Sequence, residues 1–357
     1  MAPQTKQLSV VVLYNHIGED EYEQMKKVDP QSLGFVPEYN IHVATVNEEY
    51  NAIADALKKE GYSVEIVNIG ENIEKLHSLL QTNPPDVIFN LVEFFRDSHF
   101  LESSIAGLYE LHNVAYTGCP PFTLALCVRK GLTKQILRSN GVSTPEFRIL
   151  DKPKIPKHHE LQYPLIVKPS REDASSGVDK ESVVYTYRSL AKRLRTVFKE
   201  YAPPILVEEY IEGRELHVSI LGNDPPKMLP VIEFDFSELP EGYPRIITYE
   251  AKWNPLNEAF HRIHTVCPAL LTKAQLKKVE QASMAAYRIL GCRDYARLDL
   301  RLGKRNQVYV LEVNPNPDLT EGVSFMDSAE KAGMTFSQTL SRIVEFAYQR
   351  KARQTKP

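Results

Sequence analysis

The chain has 357 residues, with 43 Lys and Arg against 46 Asp and Glu, for a formal net charge of -3. Hydrophobic residues make up 43% and charged residues 25%, an ordinary globular usage that excludes intrinsic disorder as the main state. This length suggests two or three domains, and the near-balanced charge excludes a global basic field for nucleic acid.

The opening Met1-Ala2-Pro3-Gln4-Thr5-Lys6 runs into Ser9-Val10-Val11-Val12-Leu13-Tyr14, which reads as a buried strand. That run is far shorter than the roughly 20 apolar residues of a membrane span, and no signal-peptide pattern precedes it. Cys119, Cys127, Cys267 and Cys292 form no CxxC and read as reduced thiols. A cytoplasmic protein with neither a membrane nor a nucleic-acid partner is expected.

A polar stretch without clear period separates Tyr14 from Val46 and reads as a functional or mobile insertion. Residues 48–60 have helical spacing, with Ala52, Ile53, Ala56 and Leu57 on one face and Gly61 as the stop. A strand over 63–67, a helix over 73–80 and a strand over 86–91 follow. This βαβαβ order predicts a parallel sheet with right-handed crossovers. Further helices are expected over 98–111 and 131–140. Residues 145–159 hold Pro145, Pro153 and Pro156 and read as a connector between lobes.

From Tyr163 the strand-like runs crowd together, over 164–168, 205–210, 217–221, 295–302 and 307–314. Helices are expected over 189–201, 273–290 and 336–350. This clustering predicts antiparallel sheets in an α+β arrangement. The fold class is thus α/β followed by α+β, with residues 351–357 a frayed tail.

The chemistry concentrates in Arg297-Leu298-Asp299 and Glu312-Val313-Asn314, joined by the turn Gly303-Lys304-Arg305-Asn306. Alternation puts Arg297 and Asp299 on one face of their strand, and Glu312 and Asn314 likewise share a face of theirs. A hairpin would bring these hard oxygen ligands together, a set suited to Mg²⁺. Upstream, Lys168 ends a strand and a small polar loop follows, Pro169 to Gly177, of a kind that folds over phosphates. Neither a Walker P-loop nor a Gly-x-Gly-x-x-Gly occurs.

Taken in order, Pro164 to Glu172, Glu208 to Glu215, Tyr249 to Trp253, Cys267-Pro268-Ala269, Gly291-Cys292, Arg297 to Asp299 and Glu312 to Asn314 resemble the D-alanine–D-alanine ligase family of ATP-grasp ligases. The resemblance runs from about Asp86 to the C-terminal helix. It implies an ATP-grasp fold: a Rossmann-like domain over 1–129, a small lobe over 130–215 and a large lobe over 216–350. It implies ATP and two Mg²⁺ as cofactors, with Mn²⁺ as a substitute. By the same resemblance Lys130 and Lys168 contact ATP phosphates, and Glu172, Ser175, Ser176 and Gly177 belong to a loop covering them. Glu208, Glu209, Tyr210 and Ile211 line the adenine pocket, and Glu215 holds the ribose. Lys252 sits near the γ-phosphate. Asp299, Glu312 and Asn314 bind the metals, and Arg297 stabilises the acyl phosphate and the oxyanion. A homodimer is implied too. The Ser237 to Trp253 and Glu172 to Val178 loops are the candidate lids.

The chain departs from the family in the substrate half. Its first strand leads to Tyr14-Asn15-His16-Ile17-Gly18-Glu19-Asp20 in place of a Gly-Gly-x-Ser-x-Glu turn. Val92-Glu93-Phe94-Phe95-Arg96-Asp97 replaces a His-Gly pair and its Gly-Glu-Asp-Gly run, which makes Glu93 a candidate substrate residue. Arg129, Ala174, Trp253, Asp318 and Val323 replace an Asp, a Ser, a Tyr, a Gly and a Ser. The expected function is an ATP-dependent ligase joining a small-molecule carboxylate to an amine, with substrates other than D-alanine. An authentic D-alanine–D-alanine ligase, a small-molecule kinase and a non-catalytic nucleotide-binding protein are the alternatives.

Overall fold

The computed structural model describes residues 7–18 and 20–354. The N-terminal segment 1–6, Glu19 and the end of the expected tail, 355–357, lie outside the described residues. Three sheets carry the structure. The first is parallel, in the order Ser63–Asn68, Ser9–Tyr14, Val87–Leu91, Ala115–Tyr116. Val10 to Leu13 are buried without interruption, as strands covered on both faces require. The helix Val46–Lys59 begins with a capping box between Thr45 and Glu48 and lays Ile53, Ala54 and Leu57 on this sheet. The helix ends of this region fall within a few residues of those expected.

The last helix, Phe336–Gln354, returns to the N-terminal sheet. Its Leu340, Ile343, Val344 and Ala347 share a core with Val10, Val12, Ile53 and Leu57. It runs into the segment expected to fray. Among the described residues no helix is long and apolar enough to cross a membrane.

The second sheet is antiparallel, in the order Phe147–Leu150, Ile205–Glu209, Leu165–Pro169, Val183–Val184, backed by the helix Tyr187–Glu200. Phe147–Leu150 corrects the expectation of a bare connector there. Four residues between prolines are too few to show a period, and only pairing with Ile205–Glu209 makes them a strand. The third sheet runs His264–Val266, Ile232–Asp235, Gly213–Leu221, Tyr295–Gly303, Val308–Asn314, with Lys227–Met228 also on Gly213–Leu221. The helix Lys273–Ile289 covers one face through Val279, Ala286 and Tyr287.

The insertion after the first strand holds a short helix, Glu21–Met25, and a 3-10 turn, Pro30–Ser32. It docks on the far end of the chain. The Tyr22 hydroxyl donates to the Trp253 carbonyl at 3.1 Å. The backbone N–H groups of Glu38 and Tyr39 donate to Nδ1 of the fully buried His261 at 3.2 and 3.0 Å. His261 Nε2 meets the Pro255 carbonyl at 2.8 Å, so this ring is held as the neutral Nε2–H tautomer.

Candidate active site

The second and third sheets face each other across a cavity of about 510 Å³. The hairpin expected from sequence forms its floor. Arg297 lies opposite Asn314 and Asp299 opposite Glu312, and a register shift follows between Asp299 and Leu300. Arg305 and Asn306 take positive φ, 61° and 56°, which closes the turn.

On this floor the Arg297 guanidinium grips Asp299 with both arms, Nε to Oδ1 at 2.8 Å and Nη2 to Oδ2 at 3.0 Å. Asn314 Nδ2 donates to Asp299 Oδ2 at 3.2 Å. His217 Nε2 stands 3.4 Å from Asp299 Oδ1, and its Nδ1 is 3.0 Å from the Ser324 hydroxyl. Burial, with Arg297 and Lys252 adding to it, pushes His217 well below the ordinary histidine range, so it is neutral here. Lys130, the first residue of the helix Lys130–Ser139, donates to the Glu172 carbonyl at 2.6 Å and lies 3.3 Å from Glu312 Oε2. Burial alone would raise Glu312, but Lys130, Lys168 and Arg297 outweigh it and hold the carboxyl below its ordinary value.

The rear wall is a charge triplet. Lys168 and Lys134 each reach one oxygen of the buried Glu208 at 2.8 Å. Burial lowers Lys134 to about 8 against the pull of Glu208. The same two lysines outweigh burial at Glu208 and hold that carboxyl below its ordinary value, so it is ionised at neutral pH. Beside it Arg301 pairs with Glu215, donates to the Gly213 carbonyl at 3.1 Å and stacks on the Tyr210 ring at 5.2 Å. Burial still raises Glu215.

The roof is the 172–178 loop. Ala174, Ser175 and Gly177 have φ of 54°, 62° and 73°. A Cβ on Gly177 would come within 2.6 Å of Pro169 Cγ, so both the turn and the packing require glycine there. The short helix Tyr249–Trp253 ties the two expected lids together. Trp253 Nε1 donates to the Ala174 carbonyl at 2.8 Å, and Tyr249 N to the Val178 carbonyl at 3.0 Å. Lys252 lies over the Trp253 ring at 4.7 Å and reaches into the cavity. Burial, then Arg297, lowers its ammonium below the ordinary lysine range.

Lys130, Lys168, Glu172, Ser175 and Ser176 therefore meet in this cavity with Glu208, Glu209, Tyr210, Ile211 and Glu215. Lys252, Arg297, Asp299 and Glu312 join them. Gly177 stands behind the loop, and Asn314 is buried against Asp299, off the wall. Glu93 lies elsewhere, in a second cavity of about 340 Å³ that shares Lys252, Trp253, Phe260, Asp318 and Val323 with the first.

Lys134 behind the wall, Arg301 and Glu49 were not singled out from sequence, and Asp318 was named only as a departure. Lys134 follows Lys130 by four and Arg301 follows Asp299 by two, so helical and strand spacing would have found both. Glu49 and Asp318 are 269 residues apart in the chain and carry no local signal.

The donor set at the hairpin suits Mg²⁺: two carboxylates and an amide oxygen on adjacent strands, held by cations that a metal would replace. Among the described residues the one cluster of His and carboxylate ligands within 4.8 Å is Glu38, Glu238 and His264. Arg262 already lies 2.6 Å from Glu38 there, so this cluster is a surface ion pair joining the insertion to the lid.

The family model described as D-ala D-ala ligase C-terminus matches residues 136–345. An uncharacterized protein, y4sG, of Sinorhizobium fredii is 33% identical over 282 residues, covering 77% of this chain and 80% of its own. A D-alanine–D-alanine ligase of Carboxydothermus hydrogenoformans is 31% identical over 304 residues, covering 82% and 90%. The crystal structure of a D-alanine–D-alanine ligase from Bacillus anthracis complexed with ATP superposes with a TM-score of 0.72 over 98% of this chain and 100% of that one, at 22% identity. That likeness establishes the fold.

Proposed function

Because the chain belongs to the D-alanine–D-alanine ligase family and has its ATP-grasp fold, we propose that it is an ATP-dependent carboxylate–amine ligase working through an acyl phosphate. The observation that carries this reading is the first cavity. It gathers three lysines and two arginines, under a glycine-hinged loop, around two carboxylates on one hairpin.

ATP would lie between the two antiparallel sheets. Ile211 and Tyr210 would flank the base, with Glu208 and Glu209 at its polar edge and Glu215 at the ribose. Lys130 and Lys168 would bind phosphate oxygens, beneath the hydroxyls of Ser175 and Ser176. Asp299, Glu312 and Asn314 would hold Mg²⁺, which when bound supplies charge neutralisation at the transferring phosphoryl group. Lys130 and Arg297, now paired with Glu312 and Asp299, would then be released towards the phosphates.

The acid's carboxylate would attack the γ-phosphorus, displacing ADP. Lys252 and Arg297 would offset the repulsion between two anions and stabilise charge on the phosphoryl oxygens. The amine would then attack the acyl carbon, and phosphate would leave. Arg297 would stabilise the oxyanion. The Trp253–Ala174 bond holds the loop and lid together, which keeps water from the acyl phosphate. The acid would enter from the second cavity, where Glu93 and Asp318 face Lys252.

The test is phosphate release from Mg-ATP across paired acids and amines, with mass spectrometry of the products. Release that needs both partners, with a product equal to their sum less water, is expected. Phosphate transfer to one acid with no amine requirement would overturn the ligase reading in favour of a kinase. The names of the relatives favour a second reading, an authentic D-alanine–D-alanine ligase. Dipeptide formed from D-alanine alone would establish it.

A further inference from the structure

The second cavity has a chemistry that nucleotide binding does not use. Three carboxylates face it: Glu49 from the helix Val46–Lys59, Glu93 beyond the strand Val87–Leu91, and Asp318 beyond Val308–Asn314. Lys252 is the one lysine or arginine on its wall among the described residues. Among the described residues the Glu93 carboxylate makes no hydrogen bond and no ion pair, and Asp318 accepts only from the backbone N–H of Thr320, at 2.8 Å. Glu49 and Asp318 are half-buried and Glu93 is exposed, and a ligand cation would offset the repulsion among the three.

Two independent features point to an organic cation. The walls include the aromatic faces of Tyr22, Tyr50, Trp253 and Phe260, and the Trp253 ring already holds a cation, Lys252, at 4.7 Å. The three acidic groups do not converge on one point: among the described residues only Glu38, Glu238 and His264 form a group of three whose ligand atoms all lie within 4.8 Å of one another. A metal ion needs convergent oxygens, whereas an extended cation needs them spread. The same cavity offers a place for a carboxylate. Asn90, 3% exposed, accepts from the Tyr109 hydroxyl at 2.9 Å, and among the described residues its amide nitrogen donates to none.

We propose that this cavity selects an amino acid bearing a second cationic group, an amine or a guanidinium, over a small neutral amino acid. The inference rests on the ligase reading above, since it names the substrate class of that reaction. One carboxylate suffices for an α-ammonium group. The other two, with the aromatic faces, hold the side-chain cation. Burial raises Glu49 to about 8 and Glu93 to about 7, with Asp318 contributing to both, Asp20 to the first and Asp173 to the second. Burial keeps the Tyr22 and Tyr50 phenols protonated. Lys252 is the opposing charge. A dicationic ligand therefore binds more tightly as pH rises from 6.5 to 8.5 and these carboxyls lose their protons.

The test is calorimetric titration of the full chain, with Mg²⁺ and a non-hydrolysable ATP analogue present. Lysine, ornithine and arginine of both hands are compared with alanine. At least one basic amino acid is expected to bind tenfold or more tightly than alanine, and more tightly at pH 8.5 than at 6.5. Glu49→Gln and Asp318→Asn should each cut that preference at least threefold with analogue affinity kept, which shows that the variants fold. Alanine binding as tightly as every basic amino acid, or no basic amino acid binding while the analogue does, overturns the inference. Basic amino acids that bind but are never ligated leave the inference standing and overturn the ligase reading. Ligation of neutral amino acids alone does the reverse.

Discussion

In the first cavity four carboxylates each have a cation: Glu208 has Lys134 and Lys168, Asp299 has Arg297, Glu215 has Arg301 and Glu312 has Lys130. In the second, Glu49, Glu93 and Asp318 face a single lysine. Both cavities are partly open to solvent and built from the same kinds of side chain. The difference lies in what each awaits. A site for a polyanion and its metals can neutralise itself while empty and exchange partners on binding. A site for a cation cannot, and it holds its charge off by keeping protons, with Glu49 pushed up to about 8 and Glu93 to about 7.

The largest effect should come from breaking the paired cavity at its floor. Arg297→Ala removes both arms from Asp299 and the cation nearest the transferring group. Turnover measured as ADP release should fall about a thousandfold or more, in the range of losing an oxyanion donor. A fall of less than tenfold would show that the paired cations are structural only. Lys134→Met leaves Glu208 with one lysine in a dry wall. Chemical denaturation should show a loss of roughly 2–4 kcal/mol, the range for breaking a buried ion pair.

The unpaired cavity should respond in the opposite sense. The Glu49 carboxyl has an ordinary value of 4.5 and is raised to about 8 in the fold. Folding therefore carries no penalty from it below pH 4.5. The penalty grows between pH 4.5 and 8 and is complete above. Glu49→Gln should stabilise the ligand-free protein by about 1–2 kcal/mol at pH 9, after allowance for partial solvent access, and by little at pH 4.5. Thermal melts at the two pH values measure this, and a destabilised variant at pH 9 would contradict the comparison. The smallest effect concerns the boundary between the cavities. Trp253→Phe keeps the ring but loses the bond to the Ala174 carbonyl, which is worth about 1 kcal/mol. KM for ATP should rise severalfold, with the melting temperature nearly unchanged.

The legibility of the two cavities in the sequence follows the same divide. The acidic hairpin was readable because Arg297-Leu298-Asp299 and Glu312-Val313-Asn314 alternate on adjacent strands joined by a tight turn, and local spacing decides which side chains share a face. Lys168 and its loop were readable for the same reason. The ATP-grasp architecture came through the ordered resemblance of many segments and is the fold observed. The second cavity was legible only as a set of departures. Glu49, Glu93 and Asp318 come from three distant segments, and a helix, a strand end and a loop must close before they meet. Glu93 was singled out and Asp318 was named as a departure, but Glu49 was not noticed and nothing in the sequence joined the three. The insertion after Tyr14 showed no period because its order comes from His261 and Trp253 rather than from its own spacing. Phe147–Leu150 was hidden in the same way, as a strand made by its partner.

The central claim is that a carboxylate is activated by phosphorylation in the first cavity. Its most direct test is to supply an acid labelled with ¹⁸O in both carboxylate oxygens, together with Mg-ATP and the amine, and to weigh the released phosphate. An acyl phosphate places one carboxylate oxygen between carbon and phosphorus, and amine attack leaves that oxygen on phosphate. One ¹⁸O per phosphate is the expected result. Amide product accompanied by unlabelled phosphate would contradict the account.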